Sequence, residues 1–238
     1  MREALYIAGK ELRSYFVSPV AYVIVAFWLV ATGFFFYASV TLGQEASLRN
    51  VFGVVIILLL LISPALTMRL LAEESRTGTL ELLLTAPVKD WAVVLGKFLG
   101  ALGLYAVMIA LTLFYPLLLV LYKGNPDWGP IWSGYLGLLL VGMLFLSVGL
   151  FASALTSNQM VSAVIAFVLL LLLFVISQLS QNVSAGLGDF LRKISVGERF
   201  DPFERGIVDL RDIVFYISVS ALVLFLTVQV VEARRYRA

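Results

Sequence analysis

Residues able to do chemistry are few in this sequence and unevenly placed. Histidine and cysteine are both absent. Within this chain that excludes imidazole ligation of haem or metal, histidine acid–base catalysis, thiolate metal sites and a disulfide framework. The long apolar runs carry no carboxylate, so no intramembrane proton relay is evident, and they hold no Ser/Lys or paired-acid constellation. The phosphate-cradling pattern G-x-x-x-x-G-K-[ST] occurs nowhere. What remains is one polar segment between two oily runs, "EESRTGTLELLLTAPVKDW" at 73–91. It collects Glu73, Glu74, Arg76, Thr77, Gly78, Thr79 and Glu81. Side chains of these types can bind a partner by charge and hydrogen bonding.

The local signals say how that segment is held. Gly78 breaks the chain direction, and Thr77 or Thr79 can cap a new short helix. Leu80, Leu83 and Leu84 form its apolar side. Glu81 falls in its first turn, where the helix dipole favours a carboxylate. Pro87 ends it, because the residue before a proline is pushed out of helical geometry. Asp90 can cap the next helix, with Trp91 at the membrane interface. Two antiparallel spans need only a short turn between them. Composition alone fits a polar linker as well as a docking element, and the rigidity signals at both ends favour docking.

The elements that position this segment follow from composition. Of 238 residues 61% are hydrophobic and 13% charged, and the mean hydropathy is +1.01. A soluble domain is roughly a quarter charged, so the chain reads as an all-α integral membrane protein. A spanning helix needs about 20 apolar residues. Six such runs occur, at roughly 20–41, 51–71, 95–121, 131–155, 160–180 and 213–231. No charge lies between Asp127 and Asp189, and the polar "TSNQ" from Thr156 to Gln159 divides that stretch into a hairpin of two spans. Gly142, Gly149, Ala152, Ser153 and Ala154 are small enough to let helices approach closely. Pro64 and Pro116 are expected to kink spans two and three, as hinges or as plain adjustments of shape.

Six spans place both termini on one side. That side holds ten Lys and Arg against seven on the other, and five of the seven lie in the mixed-charge loop 181–211. The basic "EARRYRA" abutting the last span adds to the same side, so both termini are expected in the cytoplasm of a prokaryotic cell. The net charge of +2 gives no ground for a nucleic-acid partner.

Two flanking regions have structure of their own. In "REALYIAGKELRSYF", Leu5, Ala8, Leu12 and Tyr15 recur at helical spacing, with Glu3, Lys10 and Arg13 on the other side. Residues 1–18 are therefore expected to form an amphipathic interfacial helix, the alternative being a disordered basic leader. Its acids and the long run behind it argue against a cleaved signal peptide. Ser18-Pro19 then opens the first span. In 181–211, Leu187, Phe190, Leu191 and Ile194 fit one short helix that Gly197 would stop. Asp201-Pro202 reads as the cap and first position of another, with Phe203, Ile207 and Leu210 on one side. Phe190, Asp201, Pro202, Phe203 and Asp209 are thus candidates for an outer gate, or equally for a lid that braces the bundle.

"EESRTGTLELLLTAPVKDWAVVLGKFLGAL" resembles the cytoplasmic coupling region of ABC-2 type transporter permeases. In that family acid-x-x-x-G-T-L-E-L-L-L-x-x-P leads into a span beginning G-K. Glu74, Gly78, Thr79, Leu80, Glu81, Leu82, Leu83, Leu84, Pro87, Gly96 and Lys97 match the pattern. "KELRSYFVSPVAY" and "DFLRKISVGERFDPFERGIVDLRDIVFY" are similar to the branch of the family associated with gliding motility and copper-site maturation.

The resemblance implies a permease subunit of an ATP-driven exporter with no enzymatic activity of its own. A separate ABC ATPase carrying ATP-Mg would dock on residues 73–81, and a second permease copy or a sister permease would complete the pathway among membrane lipids. This chain would bind no cofactor and no metal. The alternative from another class is a membrane anchor or assembly factor that docks a cytoplasmic partner without transporting anything. A passive channel lacks the polar or charged rings of a selective pore. Ser147, Ser153, Ser162, Ser177 and Gln178 fit an amphipathic cargo no better than they fit helix–helix hydrogen bonding.

Overall fold

Apolar length dictates the architecture. A long apolar segment in lipid has to close its own backbone hydrogen bonds, and a helix does so within itself. The computed structural model describes residues 2–43, 48–79, 88–121, 126–180 and 195–235, and all their regular elements are helices. In chain order these are α1 (Arg2–Val17), α2 (Pro19–Gly43), α3 (Arg49–Thr67), α4 (Ala72–Thr77), α5 (Asp90–Thr112), α6 (Phe114–Leu121), α7 (Trp128–Leu155), α8 (Gln159–Ser180), α9 (Val196–Glu204) and α10 (Leu210–Arg235). Among the described residues six stretches are long and apolar enough to cross a membrane: α2, α3 with α4, α5 with α6, α7, α8 and α10. Each expected run falls inside one of them.

The bundle is organised around α7, which packs on α3, α5, α8, α9 and α10. Its glycines explain why. A Cβ on Gly134 would lie 2.2 Å from Phe52 of α3, and one on Gly142 would lie 2.0 Å from the Tyr105 ring of α5. At Gly149 the clash would be with Thr67 Oγ1, at 2.1 Å. Each missing side chain is thus the slot for a neighbour's. The expectation for Gly142 and Gly149 is met, and Gly134 joins them. Tyr105 adds polar closure by donating to the Leu138 carbonyl at 2.7 Å.

The prolines act differently from one another. Pro116 cannot donate to the carbonyl of Thr112, four residues earlier. The helix breaks at Leu113, between α5 and α6. The freed Thr112 carbonyl instead accepts from the Tyr135 hydroxyl at 2.8 Å. Around Pro64 α3 continues, ending at Thr67 before a non-helical corner over 68–71.

Other local expectations need correction. α2 does start at Pro19 after the break at Ser18. Of the expected apolar side of α1, Leu12 and Tyr15 pack against the core, while Leu5 is 65% exposed, free to meet lipid. The bundle-facing side of α1 is Ala4, Ile7, Glu11 and Leu12, which meet Gly96, Gly100 and Gly103 of α5. α5 starts at Asp90 itself, so Asp90 lies in the first turn and Lys89 occupies the cap position. Gly197 does not stop a helix, and Asp201-Pro202 does not start one. All three lie within α9, whose cap is Ser195, its hydroxyl accepting from Glu198 N at 3.1 Å. Pro202 cannot donate to the Glu198 carbonyl, four residues earlier, and α9 ends two residues later, at Glu204. Phe203 is buried, but Ile207 and Leu210 are 58% and 71% exposed, beyond the turn at Gly206 that ends α9. Phe190 and the helix expected around it lie outside the described residues.

Candidate functional site

The polar segment begins at the chain-terminus end of the bundle. α3 stops after Thr67, and the corner over 68–71 turns the chain into α4. Ser153 of α7 holds that corner. Its Oγ donates to the Met68 carbonyl at 3.2 Å and accepts from the amides of Leu71 and Ala72 at 3.1 and 3.0 Å. Two of the amides that a helix start leaves without an internal partner are satisfied this way. Ser153, small enough for close approach and a candidate for helix–helix hydrogen bonding, thus caps α4.

α4 is a short helix N-terminal to Gly78; of the further short helix expected C-terminal to Gly78, only Thr79 is among the described residues, and it is helical. Gly78 ends α4 at φ 72°, the left-handed conformation that glycine adopts without a Cβ penalty. Thr77 closes α4 from within. Its hydroxyl donates to the Glu73 carbonyl at 2.9 Å and meets the Thr79 hydroxyl at 2.9 Å. Thr77 therefore closes the C-terminal turn of α4. Arg76, Thr77, Gly78 and Thr79 are exposed together, and Glu73 is half-buried beside them. Glu81, with the leucines and Pro87 of the motif, lies outside the described residues.

Glu74 points the other way, into the bundle. There Lys97 of α5 is buried, with 2% of its side chain exposed, and its Nζ donates to Glu74 Oε1 at 2.8 Å. The same amine donates to Glu11 Oε1 of α1 at 2.6 Å. One cation thus joins three elements from distant parts of the chain. An unpaired ammonium buried in this way would be strongly unfavourable, so the two carboxylates are what allow it. Tyr15, one turn beyond Glu11, donates to the Leu66 carbonyl at 2.7 Å and ties α1 to the end of α3. Burial, with Glu11 adding to it, pushes the Tyr15 hydroxyl well above the ordinary phenol range. Arg234 of α10 donates to Ser75 Oγ at 2.6 Å, so the C-terminal helix reaches the same place.

Between α1, α2, α3 and α4 these contacts leave a cleft of about 390 Å³, with Lys10, Arg69, Glu73, Thr77 and Thr79 on its walls. Bases and acids alternate around it. Such a surface is suited to docking a complementary protein element. Among the described residues no group of three or more acids is placed to hold a metal ion.

Sequence reasoning passed over Glu11 and the central role of Lys97. The signal was present in Gly96-Lys97-x-x-Gly100-x-x-Gly103. Small residues at three- and four-residue spacing mark a helix face prepared for close approach. A Cβ on Gly96 would stand 2.7 Å from Ile7 Cβ, and one on Gly100 would stand 2.6 Å from Glu11 Cβ. A lysine on such a face needs an acid from whatever helix docks there.

At the opposite end, α9 is tied down by α3, α7 and α10. Ser133 donates to the Phe203 carbonyl at 2.6 Å and Tyr216 to the Val196 carbonyl at 2.7 Å. Arg199 pairs with Asp212 at 2.8 Å and lies over the Phe215 ring. Arg49 donates to the Glu204 carbonyl at 3.2 Å. Of the candidate gate residues, Asp201 pairs with Arg205 at 2.6 Å, and Phe203 packs at Gly137. Asp209 accepts from Arg211 N at 2.8 Å, at the start of α10. Asp201, Pro202 and Phe203 thus sit together on α9, while Asp209 lies just before α10. Burial, reinforced by Asp201 and opposed by Arg49 and Arg205, pushes the Glu204 carboxyl up to about 7.

The described residues thus form a six-span bundle with a short polar helix packed under its terminal end. No curated protein matches the chain. Residues 61–235, which include the polar segment and four of the six spans, match the family described as ABC-2 family transporter protein. Covering well over half of its length, that match makes the chain a member of the ABC-2 transporter family, a multi-pass membrane protein.

Proposed function

We propose that this chain is the permease subunit of an ATP-driven exporter and that a separate ABC ATPase docks at α1, α4 and the segment from Gly78 to Pro87. The observation that carries the reading is the construction of α4. A six-residue helix is too short to persist alone. Here it is capped by Ser153, stopped by Gly78 and anchored through Glu74, while Arg76, Thr77 and Thr79 stay exposed. A linker gains nothing from such anchoring; a lever does.

In this reading ATP-Mg binds to the partner and nothing comparable binds here, in keeping with the absence of a phosphate-cradling sequence. The docking end, with both termini, faces the cytoplasm of a prokaryotic cell. Nucleotide-driven closure of two ATPases moves α4, and the spans repack to open the far side. That requires the ATPase to bind the two membrane conformations with different affinity. One chain forms half of the pathway. α2, α8 and α10 carry many exposed apolar residues, a surface for lipid and for a second permease copy or a sister permease. Placement in the gliding-motility and copper-site branch rests on the end segments of the sequence.

The test is co-purification. The wild-type chain, extracted in mild detergent, carries a nucleotide-hydrolysing partner, and Arg76→Glu together with Glu81→Lys reduces the amount captured. Equal capture by the double variant removes the docking role. Capture without ATP-dependent movement of any cargo in vesicles identifies an anchor in place of a permease.

A further inference from the structure

We propose that Lys97 is a positioning residue that binds α4 to α5, so that a displacement received at α4 is delivered to the α5–α6 span. The inference rests on the docking reading and deepens it. Three observations carry it.

First, the backbone of α4 packs mainly on α7 and α8. Its link to α5 runs through side chains, from Glu74 to Lys97, across 23 positions of sequence. Second, the amine is almost fully buried and has a carboxylate oxygen from each of two other elements within 2.8 Å. Pulling either acid away leaves a buried charge less compensated, so the arrangement resists small separations and behaves as a joint. Third, α1 is seated on α5 by backbone-close packing at Gly96 and Gly100, so α1 and α5 already move together. The Glu74 bond adds α4 to that pair. With it, α1, α4 and the start of α5 form one body. Without it, α4 keeps its ties to α7, α8 and Arg234 but has no side-chain bond to α5.

α5 continues into α6 through the break at Leu113, where Tyr135 of α7 holds the Thr112 carbonyl. Displacement of the α5 start therefore reaches a discontinuity already built into the same span.

The chain has no cysteine, so labels can be placed without background. Nitroxides on Arg76→Cys and Trp91→Cys report the α4–α5 distance, and a pair on Tyr6→Cys and Trp91→Cys reports α1–α5. The probe is the full chain in nanodiscs, first alone and then with the co-purified ATPase in ATP plus vanadate. The expected result is a narrow α4–α5 distribution that keeps its mean on trapping. Lys97→Met and Glu74→Ala widen it, Lys97→Arg restores it, and the α1–α5 pair stays narrow in Glu74→Ala. An α4–α5 distribution as narrow in Lys97→Met and Glu74→Ala as in wild type overturns the proposal, as does a wild-type distance that changes on trapping. If Lys97→Met does not fold, Glu74→Ala decides the first arm, since it leaves the Lys97–Glu11 pair intact. Failure of the docking reading shows separately, as an unaltered chain that captures no ATPase; the partner-free distances still test the joint.

Discussion

Lys97 Nζ lies 2.6 Å from Glu11 Oε1, a contact between residues 86 positions apart that fixes the first helix of the chain to its third span. Together with Glu74 it places one buried cation between two carboxylates that are 19% and 26% exposed. Removing one member of such a set is more harmful than replacing the whole set by apolar side chains. Lys97→Met is expected to cost about 3 kcal/mol of stability. The triple variant Lys97→Met, Glu11→Leu, Glu74→Leu should recover most of that loss. Thermal unfolding in detergent reads both, and a triple variant less stable than Lys97→Met contradicts the assignment.

Ser153 supplies the second prediction. Its hydroxyl donates to Met68 and accepts from Leu71 and Ala72, all at a buried corner. Ser153→Ala leaves two amides and a carbonyl without that partner, at a cost of about 1–3 kcal/mol. Ser153→Thr keeps the hydroxyl and isolates the steric cost of one added methyl. Hydrogen exchange at Leu71 and Ala72 should quicken in the alanine variant; unchanged protection there would refute the capping role.

Glycine packing gives a paired prediction. A Cβ on Gly142 falls 2.0 Å from Tyr105 Cε1, and the ring cannot retreat without losing its bond to Leu138. Gly142→Ala should destabilise the bundle by about 1–3 kcal/mol. Gly9 of α1 has nothing within 4 Å of the same position. There alanine relieves the helix cost of glycine and should stabilise by about 0.5–1 kcal/mol. Melting temperatures moving in opposite directions check the pair, and a shared direction contradicts the packing.

These relationships also show how much the sequence could convey. The six spans were legible because each is a long run that water cannot solvate and lipid can. Gly78 and the small residues of α7 were legible because backbone conformation and close approach demand glycine. Three features were not. Which side of α1 meets the bundle was hidden, since regular spacing of apolar residues cannot tell a lipid-facing side from a protein-facing one in a membrane. The cap of α4 was hidden because Ser153 is 82 positions from the amide it satisfies at Leu71. Asp201-Pro202 imitates a helix start, but Ser195 caps the same helix six residues earlier and wins. Short-range signals of this kind compete, and tertiary packing of Phe200 and Phe203 at Gly137 decides between them.

Glu204 predicts a pH dependence at the far end. Its carboxyl is raised from 4.5 to about 7 by burial and by Asp201, against Arg49 and Arg205. A raised acid favours the protonated folded state. The contribution to the docking of α9 is therefore fully present below pH 4.5, declines as pH rises toward 7, and is lost above it. Glu204→Gln should abolish that slope. Hydrogen exchange across α9 at several pH values measures it, and a slope that survives in Glu204→Gln assigns it to another group.

The account depends most on α4 and the turn at Gly78 receiving a nucleotide-hydrolysing protein. A photo-crosslinking residue at Thr79, one position beyond the left-handed glycine and exposed, tests this in intact cells. A second at Val208, exposed at the opposite end of the bundle, serves as control. The account predicts a crosslink from Thr79 to an ATPase carrying a phosphate-binding loop and none from Val208. A Thr79 probe that captures no ATPase, or one reached only by reagents confined outside the cell, contradicts it.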